Sequence, residues 1–255
     1  MLAGLKRITN IQRRGRGFQR NFLIALYQIS GLSPVMAPVR LIAAGWSAVV
    51  YLPPMSTTLL DYPASLILLV INLGVSLLAF SNEKAFDYLA LAPHRMIIRR
   101  EFHQVVTSGF IHSNLMHLAL NMMTLYFFGP GLEATVLAAT GERGAFLFIY
   151  AFSLIVGNIY PLIKYRNQPN YAAVGASGAI SGVVFSYCLA HPTTTFYLFF
   201  SLPMPAWLFA ILYVGYSVYA MRNVEDNIGH EAHLAGAVGG IIATFIAAPG
   251  IIVFL

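Results

Sequence analysis

The chain has 255 residues, 58% of them hydrophobic and 9% charged, with a formal net charge of +6. Soluble domains carry roughly 25% charged residues, so a globular core of this size would lack its charged shell. No Asp, Glu, Lys or Arg occurs over 102–132, 144–163, 167–221 or 232–255; with about 20 apolar residues needed per crossing, the composition predicts an all-α polytopic membrane protein and excludes a soluble one.

Residues 1–61 read as a basic leader, partly disordered or interfacial. Lys6, Arg7, Arg13, Arg14, Arg16, Arg20 and Arg40 all precede Asp61, the first acidic residue. Positive charge of this kind is retained on the cytoplasmic side beside anionic lipid, so the expected location is the bacterial inner (plasma) membrane with a cytoplasmic N-terminus. An acid-free, Arg-rich start also suits a mitochondrial transit peptide, and the mitochondrial inner membrane is the second expectation. The leader carries no nucleic-acid-binding module, and no nucleic-acid partner is expected. Within it, residues 41–52 are apolar but too few to span; they predict an extra interfacial helix before Pro53 and Pro54.

Six spans follow, over about 63–80, 114–128, 144–163, 174–190, 204–221 and 231–248, giving a six-helix core at 62–248 and a short tail at 249–255. A long connection, 81–111, exceeds what a helix–helix turn requires and predicts a structured loop at the interface. Gly129-Pro130-Gly131 reads as the stop of the second span. Cys188, the single cysteine, excludes an intrachain disulfide. With the N-terminus inside, the second, fourth and sixth spans all start on the outer face.

Polar residues cluster at those three starts. The second span opens His112-Ser113-Asn114-Leu115-Met116-His117 and continues to Asn121, placing His117 and Asn121 on one helical face. The fourth opens Gly175-Ala176-Ser177-Gly178, and the sixth opens His230-Glu231-Ala232-His233. At membrane depth such groups face an interior or a wet cavity. Singly, each has a structural reading: a cap, a back-bond to its own helix, a bridge between helices. Together they hold a hydroxyl, imidazoles and a carboxamide, the parts of acyl transfer. A serine needs a base to take its proton, histidine titrates in the range for that task, and an oxyanion needs prearranged donors. Gly175, Gly178 and Gly182 in the fourth span, and Gly236 and Gly240 in the sixth, predict a close helix approach that brings Ser177 to His233.

A metal site is the rival chemistry. His112, His117, His230, Glu231 and His233 are the candidate ligands, but the HEAH spacing differs from H-E-x-x-H, and no metal or other cofactor is expected.

The motifs HSNLMHLALN, GASG and AHLAG, in this order, resemble those of the rhomboid intramembrane serine proteases over about residues 62–248. The resemblance implies a Ser177–His233 dyad without a carboxylate, cleaving transmembrane protein substrates near the outer face of the lipid bilayer. It implies oxyanion donors at His117, Asn121 and the Ser177 N–H, a structural or water-organising His112, and a structural Glu133. Two positions depart from the family. Ser181 stands where an aromatic often follows the serine by four residues, and Phe102-His103-Gln104 stands where a Trp-Arg pair is common. The alternative is a catalytically silent rhomboid-like scaffold that binds membrane clients. A small transporter, the third reading, would show inverted repeats, and none is visible.

Overall fold

The computed structural model describes residues 37–43, 46–52, 58–198, 202–223 and 229–252. The chain divides into two compact units, Met1–Ser56 and Thr57–Leu255. In the first, β1 (Ala37–Ala43) pairs antiparallel with β2 (Trp46–Leu52), in a register running from Ala37↔Leu52 to Ala43↔Trp46. The interfacial helix expected over 41–52 is therefore corrected to strand. Its residues explain why: Ile42, Trp46, Val49, Val50 and Tyr51 are β-branched or aromatic, the types that favour strands. The disorder expected for residues 1–36 falls outside the described residues.

The second unit is helical. In chain order it contains α1 (Pro63–Ser81), the short α2 (Glu83–Leu89), α3 (Pro93–Arg99) and α4 (Gln104–Thr107), then α5 (Leu115–Thr140), α6 (Gly144–Lys164), α7 (Ser177–Ala190), α8 (Ala206–Asn223) and α9 (His230–Ala247). Among the described residues, three helical segments, Pro63–Ser81, Leu115–Thr140 and Arg143–Lys164, are long and apolar enough to cross a membrane, and Ser177–Ala190 and Ala206–Met221 are shorter apolar segments. Large apolar side chains stand exposed on their outer faces, including Ile67 and Val70 on α1, Leu120 and Phe127 on α5, and Ile211 on α8. Inside, Phe146, Ile149 and Leu154 of α6 pack with Ala179 and Val183 of α7 and Ala237 and Ala243 of α9.

Between α7 and α8 the described residues are not helical. Strands β3 (Thr195–Leu198) and β4 (Leu202–Pro205) pair antiparallel there, a correction to a purely α reading. Pro203 and Pro205 lie in β4, directly before α8, in a two-stranded pair where a missing N–H is tolerated.

A third correction concerns α5. It does not stop at Gly129-Pro130-Gly131 but runs to Thr140, with Pro130 inside it. It ends at Gly141, whose φ of +73° suits glycine and whose N–H reaches the Leu137 carbonyl at 2.8 Å. The two glycines serve packing. A Cβ at position 129 would stand 3.0 Å from Ser65 Oγ, and one at 131 would stand 2.8 Å from the Tyr187 ring. One turn on, Glu133 is buried and accepts from the Ala64 N–H (3.1 Å), the Ser65 N–H (2.7 Å) and the Ser65 hydroxyl (2.8 Å). It thus satisfies orphan donors at the start of α1, where negative charge is also favoured by the helix dipole.

The connection 82–110 is structured by its own polar groups. Arg95 pairs with Glu101 at 2.9 Å and donates to the Asp87 carbonyl. Gln104 is buried; its amide donates to Glu101 at 2.7 Å and its carbonyl accepts from the Ala92 N–H at 3.0 Å. This connection also grips the loop that precedes α7. Leu91 and Ala173 exchange backbone hydrogen bonds at 3.0 and 2.9 Å, and the Gly175 N–H donates to the Ser108 carbonyl at 2.9 Å.

Candidate active site

Ser177 is the first residue of α7, and His233 lies in the first turn of α9. The two side chains meet across the helix interface: Ser177 Oγ and His233 Nε2 are 2.7 Å apart, and both residues are partly buried. Such closeness is possible because the helices touch through backbone. A Cβ at Gly236 would stand 2.8 Å from the Gly178 Cα and still nearer its carbonyl, and a Cβ at Gly240 would collide with the Gly182 backbone in the same way. A third helix shares the contact. A Cβ at Gly157 of α6 would meet the Ala232 carbonyl at 3.0 Å and the Gly178 Cα at 3.4 Å.

Gly175 corrects the sequence reading in another way. It stands before α7 rather than in it, with a φ of +125° that β-carbon-bearing residues avoid. A Cβ there would lie 2.7 Å from His117 Cε1, 2.9 Å from His117 Nε2 and 3.7 Å from Ser177 Oγ. The bare α-carbon therefore lets the His117 imidazole and the Ser177 hydroxyl border one space. On α5, Asn114 caps the helix by accepting the His117 N–H at 2.9 Å, while His117 Nδ1 lies 3.1 Å from Ser113 Oγ. Asn121, buried one turn on, spends one Nδ2 hydrogen on the His117 carbonyl at 2.9 Å.

His112 is fully buried, with its ring edge-on to His117 at 5.1 Å. The Ser76 hydroxyl donates to the Phe110 carbonyl at 3.1 Å, so His112 Nδ1–H donates to Ser76 Oγ at 2.9 Å. That tautomer leaves Nε2 as an acceptor facing the Ala176 N–H at 3.5 Å. Burial, with His117 adding to it, pushes His112 down to about 4. His112 thus supports the residue before Ser177 as a neutral ring. Among the described residues no three His, Cys, Asp or Glu side chains gather into a metal-binding group. Glu231 turns instead to Lys164, at 2.6 Å.

Several contributors had little or no signal in the sequence. Gly157 sits in the third span, which has no motif. Tyr213 of α8 lies 3.0 Å from Ser181 Oγ, hydroxyl to hydroxyl. Tyr213 packs its ring on Phe185 and Phe209, so Ser181 is tied to α8 by a hydroxyl pair. Asn158 was visible as a polar residue inside an apolar run; its amide donates to the Val105 carbonyl at 2.8 Å and holds α4 against α6.

A family profile described as the Rhomboid domain matches residues 99–250, more than half of the chain and all of the elements just described from α4 onward. The chain belongs to the rhomboid family. It is 29% identical over 196 residues to RHOMBOID-like protein 12, mitochondrial, of Arabidopsis thaliana, covering 69% of this chain and 56% of that one. It is 27% identical over 203 residues to Rhomboid protein 1, mitochondrial, of Saccharomyces cerevisiae, covering 75% and 56%. To Rhomboid protease GluP of Bacillus subtilis it is 26% identical over 171 residues, covering 67% and 30%. The matches span about half of the two mitochondrial relatives and less than a third of the Bacillus protein. Membership and the apolar helices make this an integral membrane protein of a family that includes proteases.

Proposed function

We propose that this rhomboid protein is an intramembrane serine endopeptidase acting on transmembrane segments of other membrane proteins. The observation that carries the reading is the 2.7 Å contact between the Ser177 hydroxyl and His233 Nε2. The hydroxyl donates to Nε2, and as its oxygen attacks the scissile carbonyl the proton passes to the imidazole. The Ser177 N–H, orphaned at the helix start, the second Nδ2 hydrogen of Asn121 and His117 Nε2–H are the donors for the oxyanion. His117 carries its proton on Nε2 when the Ser113 hydroxyl donates to Nδ1. The imidazolium then protonates the leaving amine, and water, deprotonated by the same ring, releases the acyl group. With 14 residues at 1.5 Å rise, α7 measures about 21 Å, shorter than the roughly 30 Å hydrocarbon core. This supports a hydroxyl sunk below the headgroups, reached by water from the outer side.

The basic leader supports an N-terminus on the inner side of a bacterial plasma membrane. The mitochondrial names of two relatives favour a second location, the mitochondrial inner membrane with the same polarity. The test of activity is a gel assay with a single-span reporter in liposomes. Wild type cleaves it and is labelled at Ser177 by a fluorophosphonate; Ser177→Ala and His233→Ala stay folded and do neither. Cleavage by Ser177→Ala would overturn the assignment, and an unlabelled, inert wild type would favour the scaffold.

A further inference from the structure

The glycine contacts set how near α9 comes to α6 and α7, but a smooth contact does not fix how its first turn is aimed. Gly229, its N-cap, has no side chain with which to cap that turn. Lys164, at the end of α6, reaches that turn. Lys164 Nζ lies 2.6 Å from Glu231 Oε1, two residues before His233. The same ammonium stands over the rings of Tyr160 at 5.4 Å and Tyr165 at 5.0 Å. Tyr165 in turn stacks on Tyr171, with centroids 3.7 Å apart and planes 12° from parallel. Tyr171 belongs to the loop that leads through Gly175 into Ser177. One cation therefore joins the lead-in of the hydroxyl to the turn that carries the imidazole.

We infer that Lys164 is a positioning residue for the Ser177–His233 pair, acting through Glu231 on one side and the Tyr165–Tyr171 stack on the other. The inference rests on the reading of that pair as nucleophile and base. Lys164 is 43% exposed and Glu231 14%, and an ion pair so open to solvent adds little to global stability. Reaction geometry is far more sensitive, since an error of 1 Å at reacting atoms costs about 10²-fold. Loss of the tie should consequently show in turnover before it shows in melting.

The experiment compares wild type, Lys164→Met, Lys164→Arg and Glu231→Gln in kcat and KM on the single-span reporter, in fluorophosphonate labelling rate and in melting temperature. Lys164→Met is expected to lose about ten-fold in kcat and in labelling rate with KM and melting temperature unchanged. Lys164→Arg, which keeps charge and ring contacts, restores both rates, and Glu231→Gln falls between. Wild-type rates in Lys164→Met overturn the inference while leaving the proposed function intact. So do an Arg variant as slow as Met, or rates that fall only in step with melting temperature in both Lys164→Met and Glu231→Gln. A wild type that neither cleaves nor labels overturns both.

Discussion

His112 shows how much a buried imidazole does without touching a substrate. It is locked as the Nδ1–H tautomer by Ser76 and offers Nε2 to the Ala176 N–H. Because burial lowers its folded-state pKa to about 4, the unfolded chain, titrating near 6.5, binds the proton more readily. Stability from this group is fully present above pH 6.5 and is lost as pH falls from there to about 4, by up to about 3 kcal/mol. Thermal unfolding in detergent should show that loss, and His112→Asn should flatten it; an unchanged acid slope in the variant would refute the account. Ser177, His233, His117 and Asn121 were legible because polar groups stand out in charge-free stretches. Gly175 was legible as a small residue, but its +125° φ was not. A glycine's conformation leaves no trace in composition or period, since no side chain reports it.

Helix contacts follow the same division. The pairs Gly178–Gly236 and Gly182–Gly240 could be anticipated from small residues spaced along two spans, whereas Gly157 lies alone in an apolar run that gives no reason to single it out. Gly236→Ala must push its new methyl into the Gly178 carbonyl, backbone that has no rotamer to turn aside. The expected outcome is a loss of roughly 1–3 kcal/mol in unfolding, together with loss of Ser177 labelling. Gly74→Ala in α1, where a Cβ meets nothing within 4 Å, is the contrast: it should be neutral or stabilising by up to about 1 kcal/mol. Equal destabilisation by the two would contradict the packing argument. The misreading at Pro130 has a physical cause as well. Proline ends helices in water, but in a membrane bundle neighbouring groups compensate the missing bond, and Glu133 just beyond it is needed in helical phase to reach α1. In the leader, an apolar-rich stretch of twelve residues, 41–52, carried a hydrophobicity signal but no helical period, and the β-branched content decided for strand.

At the scale of the molecule, the core divides its two ends by task. Ser177, His233 and His117 gather at one end; Glu133 and the start of α1 meet toward the other. Cys188 is buried, so single cysteines at exposed positions report orientation cleanly. An impermeant thiol reagent should label Asn170→Cys, exposed in the loop that leads to Ser177, on intact cells and Glu142→Cys only after permeabilisation; the opposite pattern would reverse the proposed orientation. The long apolar spans and their order were readable from charge spacing alone. The relation between the connection 82–110 and the loop before α7 was not, because it runs through backbone hydrogen bonds such as Leu91–Ala173 that any residue types could make. The backbone-to-backbone meeting of α6, α7 and α9 has one more outcome. Ordinary cores soften on warming as side chains hop between wells, and neighbours drift by fractions of an ångström. Here the closest contacts are backbone on backbone, which has no rotamers, so the spacing of the three helices should hold steady with temperature and then fail in a single step, when a whole helix leaves its place.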